Sequence, residues 1–116
     1  MAKYLCWFTL KDGTLAQMLG RPDNRFQAVA EAADHAGGRL EAYYWLVGGQ
    51  DGFLIVDSPD SLTVSAVVLA VASTGAFERL ATHELITPER LPAVLQQAAD
   101  VRTVFRPPGG EPRPEG

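Results

Sequence analysis

The amino-acid sequence predicts a small α+β domain of ferredoxin-like topology, with the order β-α-β-β-α-β followed by an extra C-terminal helix. Two observations support this fold class. Stretches rich in aromatic and branched residues alternate with stretches in which apolar residues recur at helical spacing. Glycines, prolines and Asp-Gly pairs separate these stretches, as they do at the boundaries of helices and strands. Because 116 residues suffice for one compact core, we expect a single domain.

Four strands are predicted where aromatic and β-branched residues concentrate, at residues 3–10, 40–47, 53–57 and 77–86. The second and third strands are joined by the turn from Gly48 to Gly52, because Asp-Gly between two hydrophobic runs is typical of a hairpin. Near the C-terminal end, residues 100–105 can hold a short extra strand. Residues 106–116 are rich in Pro, Gly and Glu, and we expect them to form a flexible tail.

Helices are predicted between these strands from their capping residues. A short helical turn is expected at residues 14–19, and a longer helix follows with Asp23 as its N-cap. That helix ends at Gly37-Gly38, where glycine accepts a left-handed backbone without a Cβ clash. The last helix is predicted to begin at Thr87, with Pro88 at its first position and an acidic residue in its first turn.

The segment at residues 62–73 is ambiguous. Its valines favour a strand, whereas its length, its alanines and the flanking Asp60 and Gly75 favour a helix. We choose a helix. Such a helix is apolar on nearly all sides, so a second face needs cover, which a partner subunit can supply.

Composition excludes several classes of function. The net charge is −4 and the basic residues are scattered, so neither nucleic acid nor a membrane surface is an expected partner. A single cysteine, Cys6, can form neither an intramolecular disulfide nor a thiolate metal cluster. The apolar stretch after Lys3 is too short for a signal peptide, and the apolar run at residues 66–72 is far shorter than the roughly 20 residues of a membrane span. We therefore expect a cytoplasmic protein, and we expect no cofactor because no phosphate-binding or catalytic motif is present.

The predicted topology leaves one face of the sheet without helices. Right-handed crossovers place both main helices on the same face, so about half of the strand side chains lie on the other. Many of them are aromatic or branched, and leaving them in water would expose a large apolar patch. A second copy related by a two-fold axis is the simplest cover. Two sheets packed in this way form a barrel-like homodimer whose interior can hold a ligand.

Several residues, taken in order, resemble a known pattern. They are Tyr44-Trp45-Leu46-Val47-Gly48, then Asp51, then Asp57-Ser58-Pro59-Asp60, together with Arg25, Gly37-Gly38, Gly75 and Thr87. The set resembles the GYD-domain family over residues 3–98, so residues 1–99 are taken as the domain. The resemblance implies a dimeric α/β barrel, a superfamily that includes cofactor-free monooxygenases, polyketide cyclases, dehalogenase-like enzymes and binding proteins. The sequence departs from the family where Gln50 stands at the expected tyrosine.

Two residues are candidates for proton transfer. Asp51 beside an apolar cavity would have a raised pKa and could act as a general base, although an Asp-Gly turn residue that caps its own backbone is the favoured alternative. His83 in the fourth strand has an ordinary pKa near neutrality, which suits a proton shuttle if the side chain faces the cavity. The residues that alternate with His83 do not decide which face it occupies, and a hydrogen-bonded or exposed histidine is the commoner case.

Ligand contacts are expected from Trp7, Tyr43, Trp45 and Arg25. Tyr43 and Trp45 share one face of the second strand and can stack on a flat substrate, whereas packing in a core or dimer interface is their alternative role. Arg25 can hold an anionic ligand or pair with a nearby carboxylate. Cys6 lies on the face opposite to Trp7 and is expected to be a buried small hydrophobe.

Two functional hypotheses follow. The first is a homodimer that binds a small, partly apolar metabolite in a cavity lined by the sheet. The alternative is a cofactor-independent enzyme of the monooxygenase, cyclase or isomerase type, in which Asp51 or His83 moves a proton. A catalytic constellation is missing from the sequence, so binding is favoured.

Overall fold

The computed structural model describes residues 1–110. It contains β1 (Ala2–Leu10), α1 (Asp12–Gly20), α2 (Arg25–His35), β2 (Arg39–Trp45), β3 (Asp51–Ser58), α3 (Ser61–Ala72), β4 (Phe77–Glu84) and α4 (Leu91–Arg102). The strands form one antiparallel sheet in the order β2-β3-β1-β4. The predicted α+β class is confirmed, and the sheet is compatible with a ferredoxin-like topology. Met1–Leu85 forms one compact unit, and the segment that begins at Ile86 forms another.

The side chains of the sheet divide between two faces, which the pairing register assigns. Tyr4 pairs with Val56 and Cys6 with Leu54, so the even-numbered residues of β1 and β3 share one face. A bulge at Glu41 shifts the register of β2 by one residue. Because a one-residue shift moves side chains to the other face, the residues of β2 after the bulge change sides.

The helices α1, α2 and α3 lie on the face of the even-numbered β1 residues, which we call the helix face. The buried core on this face is formed by Tyr4, Ala33, Leu40, Val56 and Val64. The prediction that both main helices share one face is confirmed for α2 and α3. The other side of the sheet, which carries the odd-numbered residues of β1 and β3, is called the opposite face below.

The ambiguous segment is a helix, as chosen from the sequence. Its first turn is capped by Asp60, whose carboxylate accepts a hydrogen bond of 2.8 Å from the backbone N–H of Thr63. This cap satisfies a backbone donor that has no partner inside the helix, and it overrides the strand preference of the valines.

Helix α2 ends as predicted but its cap is different. Gly37 has φ of 86°, and a Cβ on Gly38 would lie 2.4 Å from the carbonyl oxygen of Asp57, so glycine is required at both positions. The predicted N-cap, Asp23, is wrong by one residue. Asn24 accepts the capping hydrogen bond from the N–H of Gln27 at 3.0 Å, and Asp23 instead pairs with Arg25. The short helical turn predicted at residues 14–19 is the full helix α1.

The segment after Leu85 corrects two predictions. Thr87 does not cap a helix; its carbonyl accepts hydrogen bonds from the N–H groups of Arg90 and Leu91 in a turn, and α4 begins at Leu91. The short strand predicted at residues 100–105 is wrong, because α4 continues to Arg102 and a turn follows. The reason is visible in the spacing: Val101, Val104 and Phe105 are apolar at helical intervals and do not alternate. Of the predicted tail, residues 111–116 lie outside the described residues.

No helix within residues 1–110 is both long enough and apolar enough to cross a membrane.

Candidate functional site

A cavity of about 860 Å³ lies on the helix face of the sheet, within the unit formed by Met1–Leu85. Its floor is formed by strand residues that include Cys6, Leu54 and Val56, and α1, α2 and α3 border it on the other sides. Small or branched side chains of α2 and α3 leave the space open, among them Ala32, Val68 and Val71. The lining is therefore apolar along most of its surface.

Four aromatic rings form one side of this cavity and define an aromatic wall: Phe8, Tyr43, Trp45 and Phe77. The ring of Phe8 is the centre, with its centroid 6.0 Å from that of Tyr43, 5.1 Å from Trp45 and 5.7 Å from Phe77, each at close to a right angle. Tyr43 and Trp45 lie roughly parallel to each other, 5.9 Å apart at 29°. Edge-to-face and offset-stacked pairs are the favourable arrangements of aromatic rings.

The aromatic wall depends on a glycine in the neighbouring strand. Gly52 pairs with Phe8 across the β1–β3 ladder, and a Cβ at this position would lie 2.4 Å from Cζ of Phe8 and 2.9 Å from the carbonyl oxygen of Tyr44. Only a residue without a side chain lets the ring of Phe8 lie over β3. The Asp-Gly pair, predicted from the sequence to lie in the turn, instead forms the first two residues of β3. Glycine is required at position 52 by the contact with Phe8.

Charged side chains reach the cavity at one end, from the loop between α1 and α2 and the start of α2. They are Arg21, Asp23 and Arg25. Nη1 of Arg25 lies 3.0 Å from Oδ2 of Asp23, and both side chains are substantially exposed. Asp57 also contacts the cavity, but its carboxylate binds Lys3 and Arg39 on the opposite face. We call the Arg21–Asp23–Arg25 group the cavity mouth.

Two titratable groups in the cavity are held in their neutral forms. Burial raises the pKa of the Tyr43 phenol, an effect that the nearby Arg25 guanidinium partly offsets. Burial also raises the pKa of the Cys6 thiol, and a weak contact with the Thr82 hydroxyl opposes the rise. At neutral pH, the Tyr43 hydroxyl can donate a hydrogen bond to a ligand, as an ordinary tyrosine does, and the raised pKa makes Cys6 an apolar lining residue and not a thiolate nucleophile.

The opposite face of the sheet carries a second set of aromatic residues. Trp7, Phe53 and Tyr44 form a row across β1, β3 and β2, with centroid distances of 6.1 Å between Trp7 and Phe53 and 5.6 Å between Phe53 and Tyr44. Trp7 is 37% exposed and Tyr44 is 60% exposed. We call these three residues the aromatic row.

Ion pairs mark one end of the same face. Lys3 binds the carboxylates of both Glu41 and Asp57, the latter at 2.9 Å, and Arg39 lies 3.7 Å from Asp57. The bond from Lys3 holds the pKa of Asp57 below its usual range, and the bonds to Glu41 and Asp57 raise the pKa of Lys3. Both groups therefore stay charged over the neutral range.

The predicted site residues divide between the two faces. Tyr43, Trp45 and Arg25 all line the cavity, and the expectation that Tyr43 and Trp45 share a face is confirmed. Trp7, by contrast, is in the aromatic row, opposite to the cavity and to Cys6. Phe8, Phe77 and Gly52 belong to the site but are not among the residues predicted from the sequence. One signal was available for Phe8, its alternation with Trp7 along β1; the pairing of Phe8 with Gly52 joins strands that are distant in sequence and has no local signal.

The two proton-transfer candidates lie on the opposite face and far apart. Asp51 pairs with Thr9 and His83 with Leu5, four residues away along β1 and on different neighbouring strands. With a rise of ~3.3 Å per residue and ~4.8 Å between strands, their Cα atoms are about 16 Å apart. Within one protomer they do not meet at one small substrate.

Gln50, at the position of the expected family tyrosine, joins the β2–β3 turn to the start of α1. Its Nε2 donates a hydrogen bond of 2.7 Å to Asp12, its backbone carbonyl accepts one from Leu10, and its Oε1 is buried without a hydrogen-bond partner. It does not line the cavity. Within residues 1–110, no cluster of three His, Cys, Asp or Glu side chains has the arrangement of a metal site.

These observations describe an α+β protein with a four-stranded antiparallel sheet, an apolar cavity on one face and an aromatic row on the other. The model of the GYD domain family matches residues 4–95. The match covers most of the chain, so the protein belongs to the GYD-domain family, as the resemblance predicted. A comparison with curated proteins finds no match to this chain.

Proposed function

We propose that this protein is a homodimer that binds one small, partly apolar metabolite in the helix-face cavity of each protomer. The observation that carries the proposal is the cavity itself, whose volume of about 860 Å³ lies within the range of ligand sites. Its apolar lining with a few polar groups at one end is also the usual composition of such sites. This ligand position differs from the one predicted from the sequence, which lies between the sheets of two protomers.

The homodimer is supported by the opposite face. Trp7, Phe53 and Tyr44 join Leu5 and Ile55 on this face, and the exposed fractions of Trp7 and Tyr44 are large for aromatic side chains. Aromatic residues are enriched in protein interfaces, and ion pairs such as those of Lys3 belong to the polar rim of an interface. Two copies packed through this face would form the dimeric α/β barrel that the family resemblance implies.

Binding in the cavity is tested by filling it. Val68 lines the cavity, whereas the next residue, Leu69, is exposed on α3 and does not. We expect Val68→Trp to weaken binding of the dye anilinonaphthalene sulfonate by about tenfold or more, because the added ring occupies the dye's volume. Leu69→Trp is the matched control and should bind like the wild type. Equal dye affinity in both variants, with both folded by circular dichroism, would contradict the proposal.

The dimer is tested by placing a charge on the aromatic row. Tyr44→Lys should shift the sedimentation equilibrium from dimer to monomer at micromolar concentration, because an uncompensated charge in an apolar interface is costly. Val47→Lys is the control, since Val47 is fully exposed in the turn after β2. A wild-type protein that is monomeric at this concentration would overturn the homodimer and leave the cavity proposal in place.

The cofactor-independent enzyme stays a prediction of the sequence. Its proposed proton-transfer residues, Asp51 and His83, lie on the face opposite to the cavity, so within a protomer they do not face a molecule bound there. Catalysis by these residues would require a substrate between two sheets. Replacement of His83 by Ala or Asp51 by Asn should therefore leave dye binding in the cavity unchanged.

A further inference from the structure

We infer that the cavity selects a flat aromatic ring that carries a single carboxylate, with the ring against the aromatic wall and the carboxylate at the cavity mouth. The inference rests on the proposed function and adds the class of ligand to it. Three features of the cavity carry it: the geometry of the wall, the charge of the mouth and the lack, elsewhere in the described lining, of a charged group that faces the cavity.

The aromatic wall favours a flat body over a bulky one. Trp45 is 41% exposed although it is held by Phe8 on one side and Tyr43 on another, so part of its indole remains free for contact. The near-parallel arrangement of Tyr43 and Trp45 presents two rings at a similar tilt. A planar ligand can continue this stack with offset geometry, which adds about 0.5–1.5 kcal/mol per aromatic pair beyond the buried area, or a factor of roughly two to twelve in affinity. A saturated ring system of the same size lacks that gain.

The cavity mouth favours a negative group. The mouth has a net positive charge, because it contains the two guanidinium groups of Arg21 and Arg25 and only one carboxylate, that of Asp23. The chain as a whole has a net charge of −4. Asp23 engages one nitrogen of Arg25, and a guanidinium carries five N–H donors in a planar fork. The remaining donors of Arg25 match the two oxygens of a carboxylate, which can be bound in a bidentate manner.

The mouth and the aromatic wall belong to the same cavity, so one small molecule can reach both. Arg25 at the start of α2 and Tyr43 of β2 both line that cavity, and α2 packs against β2. A carboxylate on the ring can therefore meet Arg25 while the ring contacts Trp45. The Tyr43 hydroxyl, which is protonated at neutral pH as tyrosines ordinarily are, can donate a further hydrogen bond to the same carboxylate.

Away from the mouth, the described lining offers no charged partner to a second ionised group. It consists of apolar side chains such as Val64, Val67 and Leu80 and of neutral polar ones such as Thr63 and Thr74, and the Asp57 carboxylate is engaged by Lys3 and Arg39 on the opposite face. A ligand with charged groups at both ends would leave one of them buried without a partner, which is costly. The ligand class is thus amphipathic, with one anionic end and one apolar end.

The test compares three probes of similar size: naphthoate, which is flat and anionic; naphthamide, which is flat and neutral; and decalin carboxylate, which is anionic and not flat. The two tryptophans report on the two faces, since Trp45 lines the cavity and Trp7 lies in the aromatic row. In proton–nitrogen correlation spectra of the wild-type protein, naphthoate should shift the indole N–H signal of Trp45 and leave that of Trp7 in place. Its Kd should be about tenfold lower than that of either other probe, as expected for one charged contact and one stacking contact.

A pair of variants assigns the charge. Arg25→Gln should bring naphthoate and naphthamide to similar affinities, while Arg79→Gln, whose side chain is on the opposite face beside Thr9, should leave the preference intact. Naphthamide or decalin carboxylate binding in the cavity as tightly as naphthoate would overturn this inference and leave the proposed function standing. Failure of every probe to shift the Trp45 signal, or a shift confined to Trp7, would overturn both.

Discussion

Both faces of the sheet carry aromatic residues, but they arrange them differently. On the helix face, three rings pack against Phe8 at close to right angles, and Phe8 is only 4% exposed. On the opposite face, Trp7, Phe53 and Tyr44 form a row of roughly parallel or tilted rings, and two of the three are well exposed. The difference indicates two roles. The aromatic wall is held within the protomer and borders a cavity, whereas the aromatic row is a surface suited to another molecule.

The largest expected effect separates these roles directly. Phe8→Ala should lower the free energy of unfolding by about 3–5 kcal/mol, because it removes the ring on which Tyr43, Trp45 and Phe77 converge. Phe53→Ala is the matched change in the aromatic row and should cost about 1–2 kcal/mol in dilute, monomeric protein, since Phe53 is only partly buried. Urea unfolding followed by circular dichroism measures both. Equal losses would remove the distinction between wall and row.

Gly52 gives a sharper test of the wall, because its effect depends on one contact. Gly52→Ala places a methyl group where Cζ of Phe8 now lies, and we expect a loss of about 1–3 kcal/mol from overpacking. Gly49→Ala is the control, since a Cβ there meets nothing within 4 Å.

The dependence on Phe8 is measured by a double-mutant cycle. Phe8→Leu shortens the side chain, so Gly52→Ala should cost clearly less in that background than in the wild type. Additive losses in urea unfolding would show that the methyl group acts elsewhere, for example on the carbonyl of Tyr44.

Much of the fold could be predicted from the sequence because its signals are local. Asp60 as a cap, Gly37-Gly38 as a helix end and the aromatic and branched strands each act within a few residues. Local signals also resolved the ambiguous segment at residues 62–73 as a helix. The errors in the last helix have the same origin: Thr87-Pro88 is a good helix start in isolation, yet the backbone uses it as a turn before Leu91.

The candidate site was predicted only in part because it depends on long-range pairing. Alternation correctly placed Tyr43 with Trp45 and Cys6 opposite to Trp7, but it does not say which face the helices cover. The bulge at Glu41 brings Tyr43 and Trp45 to the helix face, and a bulge has no reliable signature in a single sequence. Asp51 and His83 are candidates for proton transfer because of their side-chain chemistry alone. The strand register, which pairs Asp51 with Thr9 and His83 with Leu5, places them far apart.

A smaller effect is expected at the cavity mouth, where Asn24 caps the helix that begins with Arg25. Asn24→Ala removes the acceptor for the N–H of Gln27 and should cost about 1 kcal/mol of stability in urea unfolding. Because fraying of this first turn also moves Arg25, naphthoate should bind more weakly while naphthamide is little affected. Asn24→Ser restores a neutral acceptor at the N-cap and should restore both properties. Loss of stability with unchanged naphthoate binding would separate the cap from the ligand site.

The smallest effect concerns pH and compares Asp57, on the opposite face, with Asp60, the cap of α3. Both have a folded-state pKa below the ordinary value, Asp57 chiefly through Lys3 and Asp60 through the backbone N–H of Thr63. A depressed folded-state pKa means that each carboxylate stabilises the fold above its unfolded-state pKa and that this contribution disappears as the pH falls. Asp57→Asn and Asp60→Asn should therefore each flatten the loss of stability between ~pH 5 and ~pH 2.

Salt distinguishes the two carboxylates. The partners of Asp57, Lys3 and Arg39, are charged and their side chains are largely exposed, so 1 M NaCl should remove most of the difference between Asp57→Asn and the wild type. In 1 M NaCl, the difference in stability between Asp60→Asn and the wild type should persist. The partner of Asp60 is the neutral backbone N–H of Thr63, and salt screens this short-ranged hydrogen bond little. Asn also retains the cap, so any change in this variant reports the titration and not a lost hydrogen bond. A salt-resistant Asp57 effect would mean that its ion pairs are shielded from solvent, as they would be at the rim of a tight dimer interface on the opposite face.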